Sequence, residues 1–323
     1  MQAIAIDRPG GPDVLELRAL PVPEPSAHEV LVKLEASGIN YIDVYYRSGT
    51  YPIASFPYVP GEEGAGTVER CGSSVTAFTP GDRVASAEIP GAYAEYAVAA
   101  ANKLVAVPDG VSLRDAAALM LQGMTAHYLC TSTFRLQAGQ TAFIHAGAGG
   151  VGLLLTQLAK AKGATVITTV SNPEKAALSK RAGADHTLDY TQVDFARATR
   201  ELTDGRGVDV VYDSVGKTTW EGSLDILAPR GYFVLFGASS GPVPPFDLRI
   251  LNAKGSLFAT RPAIRNYIAT REELTWRASE LFAAVLDGKL NLRAEHTYPL
   301  AEAQRAHQAL EARQTTGKLL LLP

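Results

Sequence analysis

"HAGAGGVG", His145 to Gly152, puts four glycines into eight residues, between the apolar run "TAFI" and a second run, "VGLLLTQLAKA". The first run is short and strand-like, and the second has the length and spacing of a helix. Gly147, Gly149 and Gly152 keep the spacing G-x-G-x-x-G, with Gly150 as an extra glycine. Backbone this bare, between a strand and a helix, lets a pyrophosphate approach the amide N–H groups at the helix start, where the helix dipole favours negative charge. A dinucleotide-binding turn is therefore expected. The competing reading is a glycine-rich turn without a ligand, because short glycine patterns also arise by chance.

From "QTAFIHAG" onward, strand-like cores at "TAFIH", "TVITTV", "VDVVYD", "YFVLFG" and "SLFAT" alternate with helical patterns. Such alternation calls for a parallel sheet covered on both faces, a Rossmann-type doubly wound α/β arrangement. Before residue 120 or so the texture differs. "HEVLVKLEASG" sets Val30, Val32, Leu34 and Ala36 on one face, and "GTVERCG", "GDRVA" and "GAYAEYAVA" read as further short strands, so a mostly β domain is expected. After Arg261 come two helical stretches, "REELTWRASELFAAVLDG" and "LAEAQRAHQALEAR", and then "KLLLLP", read as a strand that returns to the first domain.

At 323 residues, with 46% hydrophobic and 20% charged content, the chain suits two globular domains. No apolar run is long enough for a membrane span, and "MQAIAIDRPGG" lacks a basic segment followed by an apolar one, so a cytoplasmic location is expected. Cys71 and Cys130 are too few for a disulfide framework or a four-cysteine zinc site. A net charge of −3 and a pI of 6.1 offer no general attraction to nucleic acid or acidic membranes.

The cofactor type turns on the next strand, "TVITTV". A site for NAD usually places an acid there to bond the ribose 2′-OH, yet this strand runs into Ser171 without one, and Glu174 comes too late. Asn172 and Pro173 read as a helix cap and first helical residue, which places Glu174 and Lys175 in the first turn. A cation there suits a 2′-phosphate and favours NADP(H); the plainer reading of Lys175 is a solvated surface lysine.

The chain as a whole resembles the zinc-independent NADPH:quinone oxidoreductases of the medium-chain dehydrogenase/reductase superfamily, the zeta-crystallin-like branch. The resemblance is carried by "GINYIDVYYRSGTYP", "PGEEGAGTV", "GDRV", "LMLQGMTAHYLC", "HAGAGGVG", "VVYDSVG", "GASSGPV", "TRP" and "GKLLLLP". It implies a GroES-like, mostly β catalytic domain at residues 1–121 and 265–323, a Rossmann NADP(H)-binding domain at 122–264, and a cleft between them. It assigns Asn40 to orienting nicotinamide or substrate, and Tyr45 and Tyr51 to the substrate cleft, with amphipathic packing as the alternative for the tyrosines. Arg261 is implied as a cleft cation, or else as an interdomain ion pair. Thr125, Gly150 and Val151 are implied at the nicotinamide and pyrophosphate, Ser171 and Lys175 at the 2′-phosphate, and Tyr190 beside the adenosine. Phe236 and Gly237 end a strand at the carboxyl edge of the sheet, where open α/β folds bind ligands.

Zinc alcohol dehydrogenases of the superfamily carry a cysteine and a histidine where this chain has Asn40 and Glu62, so no metal is expected. The expected activity is NADPH-dependent reduction of quinones without metal or flavin. Activated alkenes such as enones, alkenals or enoyl thioesters are alternative substrates. The resemblance also brings a noncatalytic RNA-binding or structural role into view, against which the acidic pI weighs. The strands "YFVLFG" and "GSLFAT" are expected to leave a sheet edge exposed, and a homodimer is expected to cover it.

Overall fold

The computed structural model describes residues 1–323 and divides into two compact units, Met1–Met124 with Ala269–Pro323, and Thr125–Ile268. These limits lie a few residues beyond 121 and 264. The first cut falls inside a continuous helix, Leu113–Tyr128, where nothing in the local sequence marks a break.

In chain order the first unit holds β1 (Gln2–Ala5), β2 (Glu16–Ala19), β3 (Glu29–Ile39), helix α1 (Tyr41–Arg47), β4 (Glu63–Cys71), β5 (Arg83–Ser86), β6 (Tyr96–Ala100), β7 (Val105–Ala106) and helix α2 (Leu113–Tyr128), whose last four residues belong to the second unit. The second unit holds β8 (Thr141–Ile144), α3 (Gly150–Ala161), β9 (Thr165–Val170), α4 (Pro173–Arg181), β10 (His186–Asp189), α5 (Phe195–Leu202), β11 (Val208–Asp213), α6 (Trp220–Asp225), β12 (Leu227–Leu235), α7 (Arg249–Ala253) and β13 (Phe258–Thr260). The chain then returns to the first unit with α8 (Arg271–Leu286), β14 (His296–Pro299), α9 (Ala303–Glu311) and β15 (Leu319–Leu322).

The first unit is built on a seven-stranded sheet in the order β14-β15-β3-β4-β5-β7, with β6 also paired to β3. The eleven-residue β3 is its spine: Val30, Val32, Leu34 and Ala36 are buried, while Lys33 and Glu35 face solvent, as the alternation dictates. The run Leu319–Leu322 does return as a strand, antiparallel to β3, pairing Leu319 with Ile39 and Leu320 with Gly38. On the other side of β3, Gly38 pairs with Glu63 of β4. Those two registers bring residues 40, 63 and 318 together from distant parts of the chain.

The second unit is a six-stranded, all-parallel sheet in the order β10-β9-β8-β11-β12-β13. Phe143, Ile167, Val211 and Phe233 fill its core together with Trp220 and Leu224 of α6. Five of the six strands are the five apolar runs read from the sequence. The sixth, β10, is "HTLD", half-buried throughout; an edge strand needs no continuous apolar run, so its sequence carries no such signal. At the opposite edge, β13 pairs only with β12, and Phe258 is 51% exposed. No helix is long and apolar enough to cross a membrane.

Candidate functional site: a glycine cradle and a buried polar network

In the second unit, the glycine turn joins β8 to α3. Gly147 N–H donates to the Thr169 carbonyl at 2.9 Å, which holds the turn against the end of β9, and Ala146 takes φ +54°, a left-handed conformation. A Cβ on Gly147 would lie 2.5 Å from that of Thr168, and one on Gly152 would collide with the Ala146 carbonyl oxygen and lie 3.0 Å from Gly147 Cα. Side chains at these positions would spoil the packing of the turn. Gly149 is the N-cap of α3 and has no side chain to satisfy the first helical N–H groups, so the start of α3 carries no side-chain cap. The cradle fits a pyrophosphate.

One strand along, Asn172 caps α4 by accepting from Lys175 N–H at 2.9 Å, and Pro173 occupies the first turn, as the sequence implied. Lys175 Nζ then lies 3.3 Å from Ser171 Oγ. Tyr190 is brought to the same strand end by its N–H, which donates to the Val170 carbonyl at 3.1 Å. Asp189, which pairs with Val170 in the sheet, turns its carboxylate to its own loop, accepting from Thr191 N–H and Oγ. Ser171, Lys175 and Tyr190 therefore gather at the carboxyl end of β9.

Phe236 and Gly237 follow β12, bonded to the Asp213 carbonyl at the end of β11, and a Cβ on Gly237 would lie 2.5 Å from the Ser214 carbonyl oxygen. Asp213 organises the turn beyond it, accepting from the N–H groups of Val215 and Gly216 and the hydroxyls of Thr219 and Ser223. His145 is buried with its ring nitrogens on Thr169 Oγ and Ser223 Oγ, and burial pushes its pKa down against the pull of Asp213. It is a structural, neutral histidine. Thr125 is buried in α2, and Arg261 is exposed just beyond β13.

In the first unit, Asn40 precedes α1 and is the hub of a network that sequence reasoning found only at that residue. Its Nδ2 donates to Glu63 Oε2 at 2.7 Å and to the Gly38 carbonyl at 3.3 Å; its Oδ1 accepts from Lys318 Nζ at 2.8 Å and Gln122 Nε2 at 3.2 Å. Lys318 also pairs directly with Glu63, whose other oxygen accepts from Leu121 N–H at 2.6 Å. Lys318 and Glu63 are 3% and 0% exposed. Burial lowers the Lys318 pKa, and the Glu63 carboxylate opposes that shift. The pair lies across Gly38, where a Cβ would clash with the Glu63 carboxylate and come within 2.7 Å of Lys318 Nζ.

A second branch leaves Asn40 through its backbone. Asn40 N–H donates to Asp43 Oδ2 at 2.8 Å, Tyr93 OH donates to the same oxygen at 2.9 Å, and His307 Nε2 lies 3.0 Å from Tyr93 OH. His307 Nδ1 is 3.2 Å from Arg47, which in turn pairs with Glu311 at 2.8 Å. Tyr45 and Tyr51, on α1 and in the turn after it, meet edge to face at 5.3 Å within a cluster that also includes Tyr46 and Tyr58. No group of three histidine, cysteine, aspartate or glutamate side chains is placed to hold a metal.

Asp43 and His307 make opposite demands on pH. Burial, with Glu62 adding repulsion, outweighs the Asn40 N–H, Tyr93 and Lys318 and raises Asp43 to about 7, whereas burial and then Arg47 lower His307 to about 3. Between about pH 4 and 7 the folded state holds a proton on Asp43 that the unfolded state releases, so this group's contribution to stability falls as pH rises. Between about pH 3 and 6.5 the unfolded state protonates His307 and the folded state does not, so stability falls as pH drops. Urea unfolding from pH 4.5 to 6.5 should therefore give Asp43→Asn a slope against pH more positive than wild type, and His307→Gln one more negative, each by up to about 1.4 kcal/mol per pH unit. Slopes parallel to wild type in both variants would contradict these assignments.

Comparison with known proteins identifies the family. Residues 26–109 match the alcohol dehydrogenase GroES-like domain and residues 150–282 the zinc-binding dehydrogenase family. A quinone oxidoreductase of Pseudomonas aeruginosa is 52% identical over 97% of both chains, and a 2-haloacrylate reductase of a Burkholderia species is 42% identical over 100% of this chain and 99% of its own. The crystal structure of Escherichia coli quinone oxidoreductase complexed with NADPH superposes with a TM-score of 0.98 at 43% identity, covering 100% of each chain. A GroES-like unit, a parallel Rossmann sheet and end-to-end identity at this level mean that the chain belongs to the quinone oxidoreductases of the medium-chain dehydrogenase/reductase superfamily.

Proposed function

We propose that this chain is an NADPH-dependent quinone reductase that works without metal or flavin. The observation that carries the reading is at the end of β9, where Lys175 Nζ and Ser171 Oγ lie 3.3 Å apart and no acid takes the place of a ribose 2′-OH partner. These two residues would hold the 2′-phosphate, and Tyr190 would lie along the adenosine. Gly147, Gly149, Gly150, Val151 and Gly152 would receive the pyrophosphate; Thr125, Phe236 and Gly237 would line the nicotinamide side. When bound, NADPH supplies the hydride.

The chain's own residues would then bind and orient an acceptor that is already electron-poor, a reading supported by Asn40 and Glu62 standing where zinc dehydrogenases carry a cysteine and a histidine. Tyr45 and Tyr51 would seat the acceptor, and a phenol of that pair would donate to the oxygen on which negative charge develops. Each acceptor takes one hydride and one proton and leaves as the hydroquinone. Arg261 would serve as a cation beside the acceptor. Likeness to a relative named 2-haloacrylate reductase favours a second reading, hydride transfer to an activated alkene in the same site. A panel of quinones and enones under NADPH oxidation separates the two.

The cofactor assignment predicts that Lys175→Glu raises the KM for NADPH about 10- to 150-fold, the equivalent of about 1.5–3 kcal/mol for a charge-assisted hydrogen bond. The KM for NADH should change little, and the NADPH interaction should become less sensitive to salt. Steady-state kinetics with both cofactors at two ionic strengths read all three effects; equal weakening of both cofactors would return Lys175 to the role of a solvated helix residue.

We further propose a homodimer in which the unpaired edge of β13 adds to its counterpart on a second copy. Light scattering at micromolar concentration should give twice the 34.3 kDa chain mass, and the single-chain mass would contradict the pairing.

A further inference from the structure

The hydrogen-bonded chain from Arg47 through His307 and Tyr93 to Asp43 runs in one direction only. A guanidinium can only donate, so Arg47 Nη1 donates to His307 Nδ1, and the neutral ring then carries its proton on Nε2 and donates it to the Tyr93 oxygen. The Tyr93 hydroxyl donates in turn to Asp43 Oδ2, which also accepts from Asn40 N–H. Asp43 and Arg47 stand one turn apart on α1, and side chains at i and i+4 share a helix face, so the chain begins and ends on the same side of one helix. None of the four side chains is more than 2% exposed. Two atoms are left over. Asp43 Oδ1, an acceptor, and Arg47 Nε, a donor, are shielded from solvent and have no hydrogen-bond partner in the chain, so they also stand too far apart to bond each other. Each costs stability unless something binds to it.

We propose that Asp43 Oδ1 and Arg47 Nε together hold one buried water molecule. Polarity selects the ligand, which must accept from Arg47 and donate to the carboxylate at once. An anion would serve Arg47 and be repelled by the ionised acid; a cation would serve the acid and be repelled by Arg47. Water does both and has the two partners that a buried water needs. It closes the chain into a ring in which Arg47 donates at both ends and Asp43 accepts at both, with His307 and Tyr93 on one side and the water on the other. Arg47 is not free to swing onto Asp43 directly, because Nη1 is engaged by His307 and Nη2 by Glu311 at 2.8 Å. With two donors already on Oδ2, a proton on Asp43 sits on Oδ1, and burial, the largest cause, raises that pKa to about 7. The water then turns and accepts from Oδ1, so one ligand serves both forms of the acid.

A high-resolution crystal structure of the wild-type protein, grown at about pH 8 with sodium bromide present, reads the site directly. One peak of a water's strength should lie about 2.7–3.2 Å from both Asp43 Oδ1 and Arg47 Nε, with no anomalous signal from bromide. No peak, a peak touching only one of the two atoms, or direct contact between them would overturn the proposal. An anomalous bromide peak would make this an anion site and overturn it too. Two variants then separate a bridge from mere space. Asp43→Asn can keep its amide oxygen on Asn40 N–H and Tyr93 OH and offer Nδ2–H to the water, so the peak should stay. Arg47→Met leaves the water a single partner and should lose the peak. Loss from Asp43→Asn or retention in Arg47→Met would each contradict the bridge. In solution, oxygen-17 relaxation dispersion should find one long-lived water fewer in Arg47→Met than in wild type, and an equal count would count against the site. The wild-type map decides alone where a variant fails to fold.

Discussion

Lys318 and Glu63 are charges without water, and each is tolerable only because the other is there. A lone buried ion of either kind carries a penalty of several kcal/mol, so the fold must close β15 onto β3 in one register for the ammonium to meet the carboxylate. Leu319 opposite Ile39 and Gly38 opposite Glu63 are that register. A slip of one residue would turn Lys318 to the other face and leave Glu63 unpaired. The glycine at 38 follows from the same requirement, since a side chain there would occupy the space where the pair meets. Thus the last strand of the chain, the spine strand and the fourth strand are locked by a polar contact as much as by the apolar cluster of Ile4, Ile39, Leu319 and Leu321 beside it.

The two units order their polar groups by different means. In the second, the parallel sheet ends its strands at one edge, and the polar groups there are mostly backbone: N–H groups of a helix start, with glycines where side chains would intrude. Beside them, at the end of β9, Lys175 meets Ser171 and its backbone is held by the Asn172 cap of its own helix. In the first unit the groups are side chains, and their order is set by the fully hydrogen-bonded Asn40 amide. Asn40 has every hydrogen-bonding site filled, Asp43 holds its backbone N–H, and Tyr93 ties Asp43 to His307. Little in that network can reorient without leaving a buried polar group unmatched.

How much of this could be read in advance depends on how local the cause is. The glycine turn, the Asn172–Pro173 cap and the alternation in β3 act within a few residues, and each shows in the sequence and stands in the fold. The return of "KLLLLP" to the first unit was also legible, because a terminal apolar run needs a sheet to join. The register of that return was not, and with it went Lys318, which in sequence is one more basic residue near a terminus. Glu63 was hidden in "GEEGAG", where only its neighbour Glu62 was singled out; the two look alike until β4 turns one inward. His307 and Tyr93 lie far apart in sequence and become partners only through packing, and Gln122 meets Asn40 from 82 residues further along the chain. Long-range pairing of this sort leaves no periodic trace.

A double-mutant cycle on the ion pair tests the dependence most directly. Glu63→Gln, Lys318→Met and the double variant would be unfolded in urea beside wild type. Each single substitution strands a buried charge and should cost about 3–5 kcal/mol, while the double variant, which strands none, should cost less than the sum by at least about 2 kcal/mol. Losses that simply add, to within about 0.5 kcal/mol, would mean that the two charges do not depend on one another and that the register of β15 is held by its leucines alone.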